Sequence, residues 1–263
     1  MFANSNANIE MSVEELALSL GLMGKPDTAK ILLKAAFGEI SSEEEKGRLL
    51  AASHSLVSRE LVSVQDNQAR LSSVVQEIVT MLVDCDFLIR FDLTKITSEE
   101  TLSYYVRGET VLEQRINQGV AYRFSCSSGI AGIVHGGKSF FALADKTDID
   151  CPDLVIPISI MEKARETSRS ATEVAELFAS SGVPNFVAIL LTEDLREPLC
   201  RGSAMRIEGI DKQLMSNEGL LFLMGKRQWL FPLVFKDEGP YVRIVPGTAM
   251  SFERQVRKML RRV

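Results

Sequence analysis

The residues able to do chemistry in this chain are few and scattered. Two histidines, His54 and His135, lie in separate segments, and neither has a cysteine or carboxylate at metal-ligand spacing. A histidine metal site or catalytic triad would have to be assembled by the fold from distant segments. His54, between Ser53 and Ser55, reads as an exposed or hydrogen-bonded helix residue. His135 precedes Gly136 and Gly137 and is the better candidate for a general base, set against a plain place in a flexible loop. The glycine-bearing run SSGIAGIVHGGKS, residues 127–139, suggests anion binding by main-chain N–H groups. No βαβ context surrounds it, so it reads as a hairpin turn or a loose connection. Asp145, Asp148, Asp150 and Asp153 offer oxygen ligands for a hard cation but lack the order and terminal glutamate of a calcium loop. They read as an acidic, solvated loop. No G-x-S-x-G elbow is present to activate a serine. Catalytic, cofactor-binding and metal-binding residues are therefore all expected to be none, the chain is expected not to be an enzyme, and the residues that hold a partner stay unassigned.

Bulk composition points the same way. With 263 residues, 46% of them hydrophobic, the chain can bury a substantial core. A net charge of −5 argues against a coat for nucleic acid. The exception is the C-terminal run ERQVRKMLRRV, where Arg254, Arg257, Lys258, Arg261 and Arg262 either complement a helix dipole or meet an acidic partner or nucleic acid. Cys85, Cys126, Cys151 and Cys200 have no C-x-x-C spacing and read as reduced, mostly buried thiols. Residues 1–9 lack the features of a signal peptide and no apolar run is long enough to span a bilayer, so a cytoplasmic location is expected.

The elements that would position any site follow from periodicity. Ser12 with Glu15 has capping-box spacing and opens a helix to Leu20. Pro26 begins a second helix to Phe37, with Ile31, Leu32 and Ala35 as its expected buried stripe. Ser41 or Ser42, followed by three glutamates, starts a third helix to about Val57. With Leu61–Val64 and the next few residues as a small wing, these helices read as a winged-helix-like unit. Its third helix offers only Lys46, Arg48 and His54 to a DNA groove, so packing or protein docking is the stronger role. Residues 71–82 form an amphipathic helix, and residues 87–93, 101–107, 110–116 and 120–126 read as consecutive antiparallel strands. Residues 127–160 are hard to read, and residues 161–181 read as one helix, followed by a shorter one to about Leu195. Strands at 203–209, 219–224, 228–235 and 241–245 precede a final helix, 250–260.

This second set of strands repeats the first: a helix, a strand with a basic residue at its centre, a polar loop, and a three-strand meander turning at Gly108 and Gly119 or at Gly225 and Gly239. The expected fold is α+β, an N-terminal winged-helix-like unit followed by a quasi-two-fold duplicated antiparallel meander with helices packed to one side. The divisions are a disordered tail over 1–9, the three-helix unit over 10–66, and a first helix-plus-meander unit over 67–135. A linker and long helix then cover 136–184, and the second helix-plus-meander unit covers 185–263. Sheet edges and a broad face would be free for a partner's strand or helix.

The order of these elements, from RLLAASHSLVSRELV through FLIRFDL to the meanders YYVRGETVLEQRINQGVAYRFS and LLFLMGKRQWLFPLVFKDEGPYVRIVPG, resembles the EspG-type proteins of type VII secretion. The resemblance implies a quasi-two-fold α+β fold, no catalytic residues, no cofactor, and a cytoplasmic chaperone that keeps a helical secreted partner soluble. The alternative is a DNA-binding, transcription-associated protein using residues 12–66, with the remainder sensing a ligand or dimerising.

Overall fold

The computed structural model describes residues 8–66, 68–117, 120–167, 170–208 and 218–261. The turn expected at Gly119, the loop before residue 218, and residues 1–7 of the expected tail lie outside them. The chain divides into two compact units, one running to Leu88 and resuming over Glu100–Gly129, the other formed by Ile89–Glu99 and the chain from Ile130 onward.

In chain order the first half contains β1 (Ile9–Ser12), α1 (Val13–Leu22), α2 (Pro26–Phe37), α3 (Ser42–Ser58), β2 (Val62–Gln65), β3 (Gln68–Leu71) and α4 (Ser73–Asp84). There follow β4 (Phe87–Lys95), most of which belongs to the second unit, then β5 (Glu99–Arg107), β6 (Thr110–Asn117) and β7 (Ala121–Cys126). The first unit's sheet runs β1-β7-β6-β5 with every pairing antiparallel. The expected meander is present. Beyond it, Ile9–Ser12 pairs with β7, so a segment assigned in part to a frayed tail is an outer strand. Four residues carry no periodicity of their own, and the long-range ladder decides their state. β2 and β3 form the separate hairpin expected as a wing.

The core of this unit is one contiguous cluster in which Leu16 and Leu20 of α1, Leu56 of α3, and Val75, Ile78 and Val79 of α4 meet Leu112, Tyr122 and Phe124 of the sheet. The capping box at Ser12 forms: Ser12 N–H donates to Glu15 Oε2 at 2.8 Å and Glu15 N–H to Ser12 Oγ at 3.1 Å. Glu15 is only 4% exposed and also accepts from Ser55 Oγ at 2.6 Å and Arg59 Nη1 at 2.9 Å, which ties α1 to the end of α3. Arg59 Nη2 also reaches the Glu10 carbonyl on β1. The stripe expected on α2 differs: Ala29 and Leu33 are buried, while Ile31 is 70% exposed. Ala29 and Leu33, four residues apart, share the face turned to the core, and Leu32 of the expected stripe packs against it partly buried.

The second unit contains α5 (Gly129–Phe140), β8 (Leu154–Pro157), α6 (Ile158–Glu166), α7 (Ala171–Ser180), α8 (Asn185–Arg196), β9 (Cys200–Glu208), β10 (Gly219–Met224), β11 (Gln228–Lys236), β12 (Gly239–Pro246) and α9 (Ala249–Leu260). Its sheet is ordered β4-β9-β10-β11-β12-β8. On one face Leu223, Trp229, Phe231, Val242 and Ile244 pack with Ala164 of α6, Val174 and Phe178 of α7, and Val187 and Leu191 of α8. On the other face Phe222 meets Phe141 at a ring distance of 4.8 Å, and Phe141 and Phe91 each meet Phe252 of α9, at 5.6 and 5.9 Å. Helices thus cover both faces of this unit's sheet, not one side as expected. Because the central strands β10 and β11 are apolar on both faces, each face needs cover.

Two local expectations also change. The glycine run is helix α5, not a turn. A Cβ at Gly137 would sit 2.7 Å from Phe252 and 3.0 Å from Phe91, so this glycine permits close helix packing and does not break the chain. The helix expected over 161–181 is two helices, and Ser170 caps the second by accepting from Glu173 N–H. Asp194 of α8, 1% exposed, fastens the β10–β11 turn by accepting from Lys226 N–H and Trp229 Nε1–H at 2.8 Å each, and from Arg227 Nη1 at 3.2 Å.

Candidate partner-binding pocket

The residues singled out for chemistry are not brought together. His54 is exposed on α3 and His135 is exposed on α5. Gly132, Gly137, Lys138 and Ser139 do satisfy the letters of a P-loop, G-x-x-x-x-G-K-S. All four lie inside α5, where the backbone N–H groups serve the helix, and Lys138 is ion-paired with Glu253. This run therefore forms no phosphate loop. Among the described residues no group of three or more His, Cys, Asp and Glu side chains could hold a metal ion. Asp153 of the acidic segment pairs with Arg243.

Cys200 is buried, and Cys85, Cys126 and Cys151 are half-buried free thiols. Burial raises the Cys85 and Cys151 thiols to about 11, neighbouring aspartates adding to the effect, which keeps both protonated at neutral pH. No described helix is long and apolar enough to cross a membrane.

Of the cations that α3 offers to DNA, Lys46 is exposed and Arg48 is committed elsewhere, as is Arg59 at the helix end. Arg48 bridges Glu14 at 3.0 Å and Glu44 at 2.9 Å and lies over the Phe37 ring, while Arg59 is engaged with Glu15 and β1. A hollow of about 850 Å³ between α1, α3 and β1 is lined by Glu14, Glu15, Arg48 and Arg59, so its charges are internally paired. On α9, Arg257 pairs with Glu253, whereas Arg254, Lys258 and Arg261 are exposed.

A pocket of different character lies in the second unit, between α6 and β9–β11, with a volume of about 330 Å³. Helical spacing puts Ile158 and Met161 on one turn, with Glu162 and Arg165 beside them at its rim. Leu221 lies opposite Phe231, and Leu223 opposite Arg201, so these side chains share the face of the sheet that forms the floor. Arg201 is the anomaly. Its Nε is buried with no hydrogen-bond partner, and Nη2 makes one long contact, 3.4 Å, to the Leu195 carbonyl. Desolvation lowers the Arg201 pKa below that of a free guanidinium, and the like charge of Arg165 lowers it further. Glu162 forms no ion pair with either arginine among the described residues. Among the described residues the pocket therefore combines an apolar floor with two arginines that make no ion pair. Nothing in the sequence spacing marked it, because Arg165 and Arg201 meet only through the packing of α6 on the sheet.

An α+β chain of this layout, with helix-covered antiparallel meanders, has the fold of the EspG chaperones of type VII secretion. No protein-family model matches the chain, and no curated protein matches it in sequence. The structure of the Mycobacterium tuberculosis chaperone EspG5, solved in complex with a PE25–PPE41 dimer, aligns with a TM-score of 0.72 over 97% of this chain and 96% of EspG5. Sequence identity over that alignment is 12%, so the likeness establishes the fold.

Proposed function

We propose that this chain is a non-enzymatic chaperone or adaptor that binds another protein and keeps a helical secreted partner soluble in the cytoplasm. The observation that carries this reading is a shared fold over essentially the whole length of a chaperone captured with its protein dimer. The dispersal of His54, His135 and the four cysteines is consistent with a binding role. In this reading residues 10–66 act as a docking module, and the segments 67–135 and 185–263 are two copies of one helix-plus-meander unit joined by 136–184. The order α4 before β4–β7 and α8 before β9–β12 supports that duplication. The alternative, a winged-helix DNA reader, loses support because Arg48 and Arg59 are held in internal ion pairs.

The test is affinity capture of the tagged chain from its native host, followed by expression of the recovered partner with and without it. A stoichiometric helical partner that precipitates alone and stays soluble with this chain is the expected result. A chain that recovers no stoichiometric protein, or a partner equally soluble without it, overturns the reading.

A further inference from the structure

We propose that the pocket between α6 and β9–β11 is a carboxylate subsite, in which Arg165 and Arg201 clamp one acidic side chain of a protein partner while its neighbouring apolar side chains fill the floor. This deepens the function proposed above and rests on it for the protein nature of the occupant. The argument starts from cost. A guanidinium partly withdrawn from water forfeits hydration of its charge, and a second guanidinium beside it adds repulsion. Natural sequences retain such arrangements chiefly where a ligand completes them. One carboxylate would accept from the two terminal nitrogens of Arg201 end-on, a bidentate geometry that a planar guanidinium favours, and would cancel the repulsion from Arg165.

The walls narrow the choice of anion. Ile158, Met161, Leu221, Leu223 and Phe231 offer no donors to a multiply charged phosphate, whereas they suit an anion carried on an apolar body. A leucine-rich helix bearing one aspartate or glutamate presents that chemistry from a protein, and a free medium-chain carboxylate presents it from solution. A helix is the occupant, because the apolar lining beside two arginines is complementary to an acidic group on an apolar body and the function proposed above supplies a helical partner.

The full chain is titrated with octanoate and with octanol, following the methyl resonances of Leu221 and Leu223. Octanoate is expected to bind at least tenfold more tightly than octanol, and R201Q and R165Q are each expected to remove that preference while leaving octanol binding unchanged. R201K, which keeps the charge and loses the fork, should retain only part of it. Equal binding of the two probes, or a preference that survives both glutamine variants, overturns the subsite. A leucine-rich helical peptide with a single glutamate is expected to displace octanoate, and its glutamine counterpart to do so at least tenfold less well. An octanoate site that neither peptide displaces assigns the pocket to a free carboxylate and overturns the partner assignment. None of these readouts needs the natural partner, so failure here is separable from failure of the capture experiment.

Discussion

Replacing Asp194 by alanine removes a carboxylate that four donors share, and the cost can be worked donor by donor. Trp229 is fully buried, so its Nε1–H, now 2.8 Å from Asp194 Oδ2, would be orphaned at about 1–3 kcal/mol. The N–H groups of Lys226 and Arg227, 2.8 and 3.3 Å from Oδ1, lie in a turn that water can reach and contribute about 1 kcal/mol together. Arg227 keeps Glu193 at 2.9 Å, so its charge is not stranded. The expected destabilisation is about 3 kcal/mol, within the range for breaking a buried charged network. Trp229 is the chain's single tryptophan, so urea unfolding followed by its fluorescence reports on this site directly. With a slope of about 2 kcal/mol per molar urea, the midpoint should fall by about 1.5 M. Trp229→Phe removes the donor that the alanine strands. In a double-mutant cycle followed by circular dichroism, D194A and W229F should therefore couple by at least about 1 kcal/mol. A D194A loss below about 1 kcal/mol, or additivity within about 0.5 kcal/mol, would refute the idea that this carboxylate holds the turn to α8.

Other expectations follow from the same contacts. Gly137→Ala should cost about 1–3 kcal/mol in thermal or chemical unfolding, because Phe252 and Phe91 leave no room for a Cβ; a neutral result would show that α5 can shift. Arg201→Met should leave stability unchanged or raise it, since it removes a poorly satisfied charge, and a loss above about 1 kcal/mol would show the guanidinium to be structural. Cys85 and Cys151, raised from 9.0 to about 11, hold less thiolate at any pH below that value, so iodoacetamide should modify them about a hundredfold more slowly at pH 8 than an unshifted thiol. Rates equal to those of the denatured chain would contradict that burial.

What the sequence made legible was local. The Ser12–Glu15 capping box, the apolar stripe of α4 and the alternation of β5–β7 each draw their signal from residues within a few positions, and each is present. What it hid depends on distant partners. Gly137 carries a local preference for turns that its packing on Phe252 overrides, and β1 and β8, four residues each, become strands only by pairing with β7 and β12. The break between α6 and α7 did leave a trace, Ser170 three residues before Glu173, which a search for caps inside the apparent long helix would have found. The pocket left none: Arg165 sits on a helix and Arg201 on a strand, and only the tertiary fold brings the two guanidinium groups to one pocket.

The bonds that Arg59 and Glu15 make along β1 bear on what this protein meets in a crowded cell. An uncovered strand edge offers its main chain to any extended or half-folded polypeptide, without regard to sequence. Here the Glu10 carbonyl is taken by Arg59 and the Ser12 N–H by Glu15, so an arriving strand would have to displace a half-buried ion pair to use either group. An extended chain arriving at this edge finds these two ladder positions already occupied. A polypeptide that meets this edge is then selected by its side chains more than by its main chain.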